Sequence, residues 1–424
     1  MTERGREDTA RTVLPNGVRI FTQSVPGAES VSLGIWVTTG SKHESAGWHG
    51  ATHFLEHMLF KGTESRTSRD IAQAIDRVGG QLNGFTDREF TCFYAWLRGA
   101  HVGLGADLLC DMLTHSRLAP IELEREKQVV LEEIAHEQDV PEDWVHELFA
   151  QTMWRGHPLG YPLLGDADSV SALTADRLRE YLVRRYAADR IVVAAAGQVN
   201  HRQLVDLVAP TLGALTPAGD GPPEPDPPPP GNDVAVDRPT EQVHFCLGVR
   251  GYPQTDKRRY AQVLLDSAIG GGPSSRLFQE IRENRGLVYH IGSDSVAYRR
   301  SGMLSISAST APERFDTVLD LVRREIDRVH AHGLDDGEVE RAKEQTKGGI
   351  ALALENTSFR MRRLAMCEIY WGRFIPFAEV VANIDSTATE EVTAIARELL
   401  DPEALVLAAI GPLSAPGEEK ESLS

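Results

Sequence analysis

Ile191-Val-Val-Ala-Ala-Ala-Gly197 is an apolar run closed by glycine, and Leu405-Val-Leu-Ala-Ala-Ile-Gly411 repeats it 214 residues later. Each run has the length and composition of one buried strand. Leu33-Gly34 recurs as Leu247-Gly248, again 214 residues on, and Glu124-Arg-Glu-Lys127 recurs as Glu340-Arg-Ala-Lys343 at an offset of 216. A near-constant offset across three separated elements points to an internal duplication. Two copies, rather than an array, imply two like-folded domains and not a solenoid. Between them, residues 221–231 hold Pro222, Pro223, Pro225 and Pro227 to Pro230. Neither a helix nor a central strand accepts that density of proline, so the segment reads as a stiff interdomain linker. The expected organisation is a first domain over 1–220, a linker over 221–231 and a second domain over 232–424.

Within the first copy, alternation and β-branched residues predict strands at 18–23, 31–38, 81–86 and 91–98. Helical periodicity predicts helices at 51–60, from a cap at Ser68 to Gly79-Gly80, at 104–114 and at 120–138. The fold class is therefore α+β, each copy a mostly antiparallel sheet with helices packed on one face.

The 424 residues carry a net charge of −18, which argues against nonspecific binding to nucleic acid or an anionic membrane. That balance suits either solubility or a basic ligand. Cys92, Cys110, Cys246 and Cys367 are widely scattered and form neither a disulfide framework nor a metal knuckle, as in a reducing compartment. The polar N-terminus has no apolar signal region, and no apolar run is long enough to span a bilayer. A soluble cytoplasmic protein is expected, with a short disordered tail from Ala415.

The chemistry concentrates in His53-Phe-Leu-Glu-His57. At about 100° per helical residue the two imidazoles lie roughly 40° apart, with Glu56 in the same arc. Two neutral imidazoles supply half of a tetrahedral zinc site, and a carboxylate near the metal but not bound to it can take a proton from water held there. The duplication supplies an internal control. The motif has no counterpart around residues 264–272, and the 216 offset pairs Glu126 with Ala342 and Glu133 with Gly349. Metal-type residues are present together in one copy and absent together in the other, as a single metal site in the first domain requires. The third ligand should come from the acid-rich helix after Pro120, where Glu126, Glu132, Glu133, His136 and Glu137 are all candidates by spacing.

His53-Phe-Leu-Glu-His-Met-Leu-Phe-Lys-Gly-Thr63 resembles the signature of the inverted-motif zinc peptidases of the pitrilysin type, family M16. The likeness is strongest to the β-subunit of the mitochondrial processing peptidase and its bacterial relatives, and it covers nearly the whole chain. The resemblance implies Glu133, 76 residues after His57, as the third ligand of one zinc ion per chain. It implies Glu126 as a further site glutamate that does not bind zinc. Gly79-Gly80-Gln-Leu-Asn83 and Thr86-Asp-Arg-Glu89 are similar to the segment where substrate adds to a sheet edge, so Asn83, Thr86 and Glu89 are implied substrate contacts. One departure is Gly84, where relatives often carry alanine. Arg282 and Tyr289 match an arginine and tyrosine that the second domain contributes, able to stabilise an oxyanion or hold substrate carbonyls.

The function implied is that of a zinc metalloendopeptidase enclosing peptides, basic ones included, in a chamber. Glu56, Glu126, Arg282 and Tyr289 form its catalytic set. A homodimer or a heterodimer with a related chain is implied, since family members of this length act as dimers. The alternative is a catalytically silent structural or substrate-binding subunit, a role that motif-lacking relatives fill.

Overall fold

A computed structural model describes residues 8–219 and 226–413. The polar N-terminal residues, the first half of the proline segment and the tail from Ala415 lie outside the described residues.

The first repeat runs β1 (Asp8–Val13), β2 (Arg19–Ser24), β3 (Ser30–Val37), α1 (Ala51–Leu59), α2 (Ser68–Asp76), β4 (Gln81–Thr86), β5 (Thr91–Arg98) and α3 (Val102–His115). It continues with α4 (Pro120–Asp139), α5 (Pro141–Met153), α6 (Ala167–Ser171), α7 (Ala175–Arg185), β6 (Ile191–Gly197) and α8 (His201–Leu212). The second repeat runs β7 (Val234–Asp237), β8 (Val243–Gly251), α9 (Arg259–Ile269), β9 (Val288–Ala297), β10 (Gly302–Thr310) and α10 (Phe315–His332). It ends with α11 (Asp336–Ala353), α12 (Thr357–Trp371), α13 (Phe377–Ser386), α14 (Thr389–Leu399) and β11 (Val406–Gly411).

The first sheet has the order β1-β2-β6-β3-β5-β4 and the second β7-β11-β8-β10-β9. With β1 set aside, the orders correspond strand for strand. Each sheet is antiparallel apart from one parallel pair, β2 with β6 and β7 with β11. The α+β class and the repetition read from sequence are therefore both present in the topology.

The described chain forms two compact units, and these are not simply the two sides of the proline segment. One comprises residues 8–135, 161–219 and 351–376; the other comprises 136–160, 226–350 and 377–413. Each repeat thus hands one helix to the other unit, and the reason lies in the sheets. In the first unit Leu33, Ile35, Phe93, Ala95, Val193 and Ala195 face α1 and α3 and form the main core. The alternate residues Phe21, Trp36, Cys92, Val192, Ala194 and Ala196 make the opposite face apolar as well. That second face is closed by Met361, Leu364, Ala365 and Ile369 of α12. In the second unit Val145, Phe149, Ala150 and Met153 of α5 close the equivalent face over Cys246, Val406, Ala408 and Ile410. The helices expected on one face are there, and one further helix covers the other.

The described part of the proline segment is not a free spacer. The Arg250 guanidinium, within the second unit, donates to the carbonyls of Pro227 (3.0 Å), Met153 (3.0 Å) and Pro228. The Gly231 N–H reaches the Thr152 carbonyl at 2.9 Å.

Candidate metal centre

The helix that carries the two histidines begins abruptly. Gly50, the residue before α1, has φ 82°, and a Cβ there would stand 2.3 Å from the Leu164 carbonyl oxygen. Only glycine fits that position. No side chain of Gly50 can cap the helix, so the buried Glu44 takes over: its two oxygens accept the N–H groups of Gly50 (2.8 Å) and Thr52 (2.7 Å). Burial pushes this carboxyl up to about 8, against the pull of those donors. The Thr52 hydroxyl meets the Tyr181 hydroxyl at 2.6 Å on α7. Phe54, Leu55, Met58 and Leu59 are fully buried on the sheet side, which turns His53 and His57 the other way. On α2 the cap is Thr67 in place of the expected Ser68, because its hydroxyl accepts the Asp70 N–H while the Asp70 carboxylate accepts the Thr67 N–H.

The Nε2 atoms of His53 and His57 lie 3.1 Å apart, and the Glu133 Oε2 lies 3.8 Å from the first and 3.6 Å from the second. Of the acidic candidates on α4, Glu133 is the one brought to both histidines. Zinc–nitrogen bonds of about 2.0–2.1 Å in a tetrahedron place ligand atoms about 3.3 Å apart, so this triangle is close to closing on such an ion. The surroundings of the two rings point the same way. On the far side of His57, Nδ1 lies 3.0 Å from the Glu126 Oε1, a contact in which Nδ1–H donates to the carboxylate. The His57 Nε2 is left facing His53 and Glu133. Burial holds His53 down at about 3, with the neighbouring His57 adding to it, so this ring is neutral at pH 7. The Glu133 Oε2 is shut off from solvent and has no hydrogen-bond partner. Two imidazole nitrogens and a carboxylate oxygen converge, a donor set that suits zinc.

Glu126 is buried and also accepts the Lys61 ammonium at 2.6 Å. It fixes the His57 tautomer as the outer carboxylate of a metal-bound histidine does. His53 has no such support, since its Nδ1 is buried without a hydrogen-bond partner.

Glu56 leaves the histidine side of α1 and faces β4. Its Oε2 accepts the Thr86 hydroxyl at 2.8 Å, and both residues are buried. Burial raises its pKa; the Thr86 hydrogen bond and His57 work against that, while Glu133 adds to it. A carboxyl raised in this way holds a transferred proton more readily than a solvated one.

The other implied site residues fall in three places. Asn83 is exposed on β4, an edge strand, where its Oδ1 accepts the Gly84 N–H at 2.8 Å. Thr86 and Glu89, read as substrate contacts, have other partners: Thr86 donates to Glu56, and Glu89 is buried in a pair with Lys42 (2.5 Å) and accepts from the Tyr370 hydroxyl (2.6 Å). Arg282 and Tyr289 belong to the second unit, with the guanidinium carbon 5.6 Å from the tyrosine ring centre and 4.5 Å from that of Phe278. Tyr289 is 82% exposed. Two supporting groups escape a reading of the sequence. Lys61 stands four residues beyond His57 inside the quoted signature, so helical spacing could have found it. Glu44 carries no signal beyond being an acid shortly before a helix start.

A family model described as "Insulinase (Peptidase family M16)" matches residues 19–167, which contain His53, Glu56, His57, Glu126 and Glu133. A second, described as "Peptidase M16 inactive domain", matches residues 172–346, which contain Arg282 and Tyr289. The chain is 41% identical over 419 residues to an uncharacterized zinc protease of Streptomyces coelicolor, covering 97% of this chain and 91% of that protein. It is 42% identical to one of Mycobacterium tuberculosis (92% of this chain, 90% of that protein). It is 36% identical to the uncharacterized zinc protease YmxG of Bacillus subtilis (95% and 98%). Among solved structures, a peptidase M16 inactive domain from Pseudomonas fluorescens superposes with a TM-score of 0.89 at 20% identity, covering 96% of this chain and 98% of that one. A protease from Helicobacter pylori gives 0.88 at 18% identity, covering 96% and 100%. These two likenesses bear on the fold alone.

Proposed function

Because the chain belongs to the insulinase family of peptidases, M16, we propose that it is a zinc-dependent endopeptidase with one metal ion per chain held by His53, His57 and Glu133. The observation that carries this reading is the 3.1–3.8 Å triangle of potential ligand atoms, oriented from behind by Glu126. Zinc bound there supplies a Lewis acid and makes water acidic enough to ionise near neutral pH. Glu56 takes the proton from the attacking water and returns it to the leaving amine, and Thr86 holds the carboxylate in place between those steps. Peptide lies extended along the β4 edge, where Asn83 is displaced from the Gly84 N–H. Arg282 and Tyr289 are proposed to engage the substrate carbonyl or oxyanion. Dimerisation, a closed chamber and a preference for basic peptides remain part of this proposal. So does a cytoplasmic setting, which fits the four buried cysteines. Among the described residues no helix is long and apolar enough to cross a membrane.

The test is a mass-spectrometric digest of a peptide library by zinc-loaded wild type and Glu56→Gln, with metal content measured on both. Wild type should cleave and hold about one zinc; Glu56→Gln should hold the same zinc and lose cleavage by at least about a hundredfold. Full cleavage by the variant removes Glu56 from the mechanism. Zinc without turnover in wild type favours the silent-subunit reading.

A further inference from the structure

Two cavities adjoin at the β4 edge. Register fixes which residues face which. Leu82, Gly84 and Thr86 pair with Ala95, Phe93 and Thr91, and this is the face on which Glu56 lies: a Cβ on Gly84 would stand 3.0 Å from its Oε1. Gln81, Asn83 and Phe85 pair with Trp96, Tyr94 and Cys92 and face the other way. On that other face α12 packs chiefly over β6, β3 and β2, with β5 and β4 at the rim of its cover. The result is a cavity of about 600 Å³ floored by Trp36, Phe85, Tyr94 and Trp96 and walled by Phe359 and Arg362 of α12. The rings of the floor pack on one another: Trp36 and Phe85 meet edge to face at 5.5 Å, and Phe85 meets Tyr94 at 6.3 Å. Trp96 is nonetheless 42% exposed, a large apolar surface left open beside a free strand edge. A second cavity, of about 500 Å³, lies at the same edge, lined by Phe60, Ile71, Ile75 and Leu82 and bordered by Asn83, with Gln81 and Tyr94 shared between the two.

We propose that the Trp96 cavity is a specificity pocket for a large aromatic side chain of the peptide, reached by every second residue of a strand paired to β4. This rests on the peptide-cleaving reading above and deepens it. Side chains of an added strand alternate between the two faces of the sheet. Those on the Glu56 face approach the metal centre; those between them meet the aromatic floor. Offset and edge-to-face contacts with Trp96, Tyr94 and Phe85 favour an aromatic ring over an aliphatic chain. The Arg362 guanidinium at the rim stacks on such a ring and repels lysine or arginine at that position. The acidic balance of the chain therefore does not extend to this pocket.

The experiment walks a single phenylalanine, one position at a time, through an otherwise alanine-rich decapeptide. Cleavage is read as kcat/KM for wild type, and binding as tryptophan fluorescence of zinc-loaded Glu56→Gln. Phenylalanine should raise kcat/KM by at least about tenfold at positions spaced by two. Trp96→Ala and Phe359→Ala, made separately so that one misfolded variant does not decide the matter, should bring that ratio near one at those positions and leave the intervening ones responsive. A response without period two, or equal loss at all positions, or no change in either variant, overturns the proposal. Period-two binding to Glu56→Gln without any cleavage by wild type keeps the pocket and removes the peptidase reading. Absence of both binding and cleavage removes both.

Discussion

Glu126 shows how much of the site's order rests on a residue that does not touch the metal. Its carboxylate sits between the His57 ring and the Lys61 ammonium, at 3.0 and 2.6 Å, and so holds the ring with Nε2 toward Glu133. Removing an outer carboxylate of this kind typically costs about 10–100-fold in metal affinity. Glu126→Ala should show that loss in a zinc-competition titration, with Glu126→Gln intermediate because an amide oxygen still accepts from Nδ1. Equal zinc affinity in all three proteins would mean that packing alone orients His57. The internal duplication marks this position in the sequence itself: its counterpart, Ala342, is equally buried but has nothing to orient.

At the scale of the element, α1 depends on a glycine and a buried acid for its start, and its register sets where both imidazoles point. Gly50→Ala places a Cβ against the Leu164 carbonyl in a backbone region that alanine avoids, so a destabilisation of about 1–3 kcal/mol is expected. Because the displaced turn is the one before His53, zinc affinity should fall in the same variant; a drop in melting temperature with unchanged zinc binding would separate the helix start from the metal site. Most of these helices and strands are legible in the sequence. The β4 and β5 runs, the α4 run after Pro120 and the motif helix each announce themselves by period, punctuation or charge. The pairing of Thr86 with Glu56 is not legible, since a hydroxyl in a strand gives no hint of which acid on a distant helix it will meet. The same holds for Glu89, whose Tyr370 partner lies 281 positions along the chain.

At the scale of the molecule, the duplication announces two sheets but not the exchange of α5 and α12. Nothing in a helix's own period says which of two similar apolar faces it will cover. A fragment ending at residue 219 has every strand of the first sheet and lacks α12, so Phe21, Trp36, Val192 and Ala194 lose their cover. Such a fragment is expected to bind a hydrophobic dye and to precipitate, and a peptide spanning α12 should suppress both. A soluble, dye-silent fragment would show that α12 is dispensable to that core.

The exchanged helix also sets a schedule for synthesis. When residue 219 leaves the ribosome, all six strands of the first sheet exist, but the helix that seals its second face ends at Trp371. At roughly 5–20 residues per second, the nascent chain waits about ten to thirty seconds with a tryptophan-bearing sheet face open. During that interval the half-made protein is a natural client for a chaperone, and a pause in translation between the two repeats would lengthen its exposure.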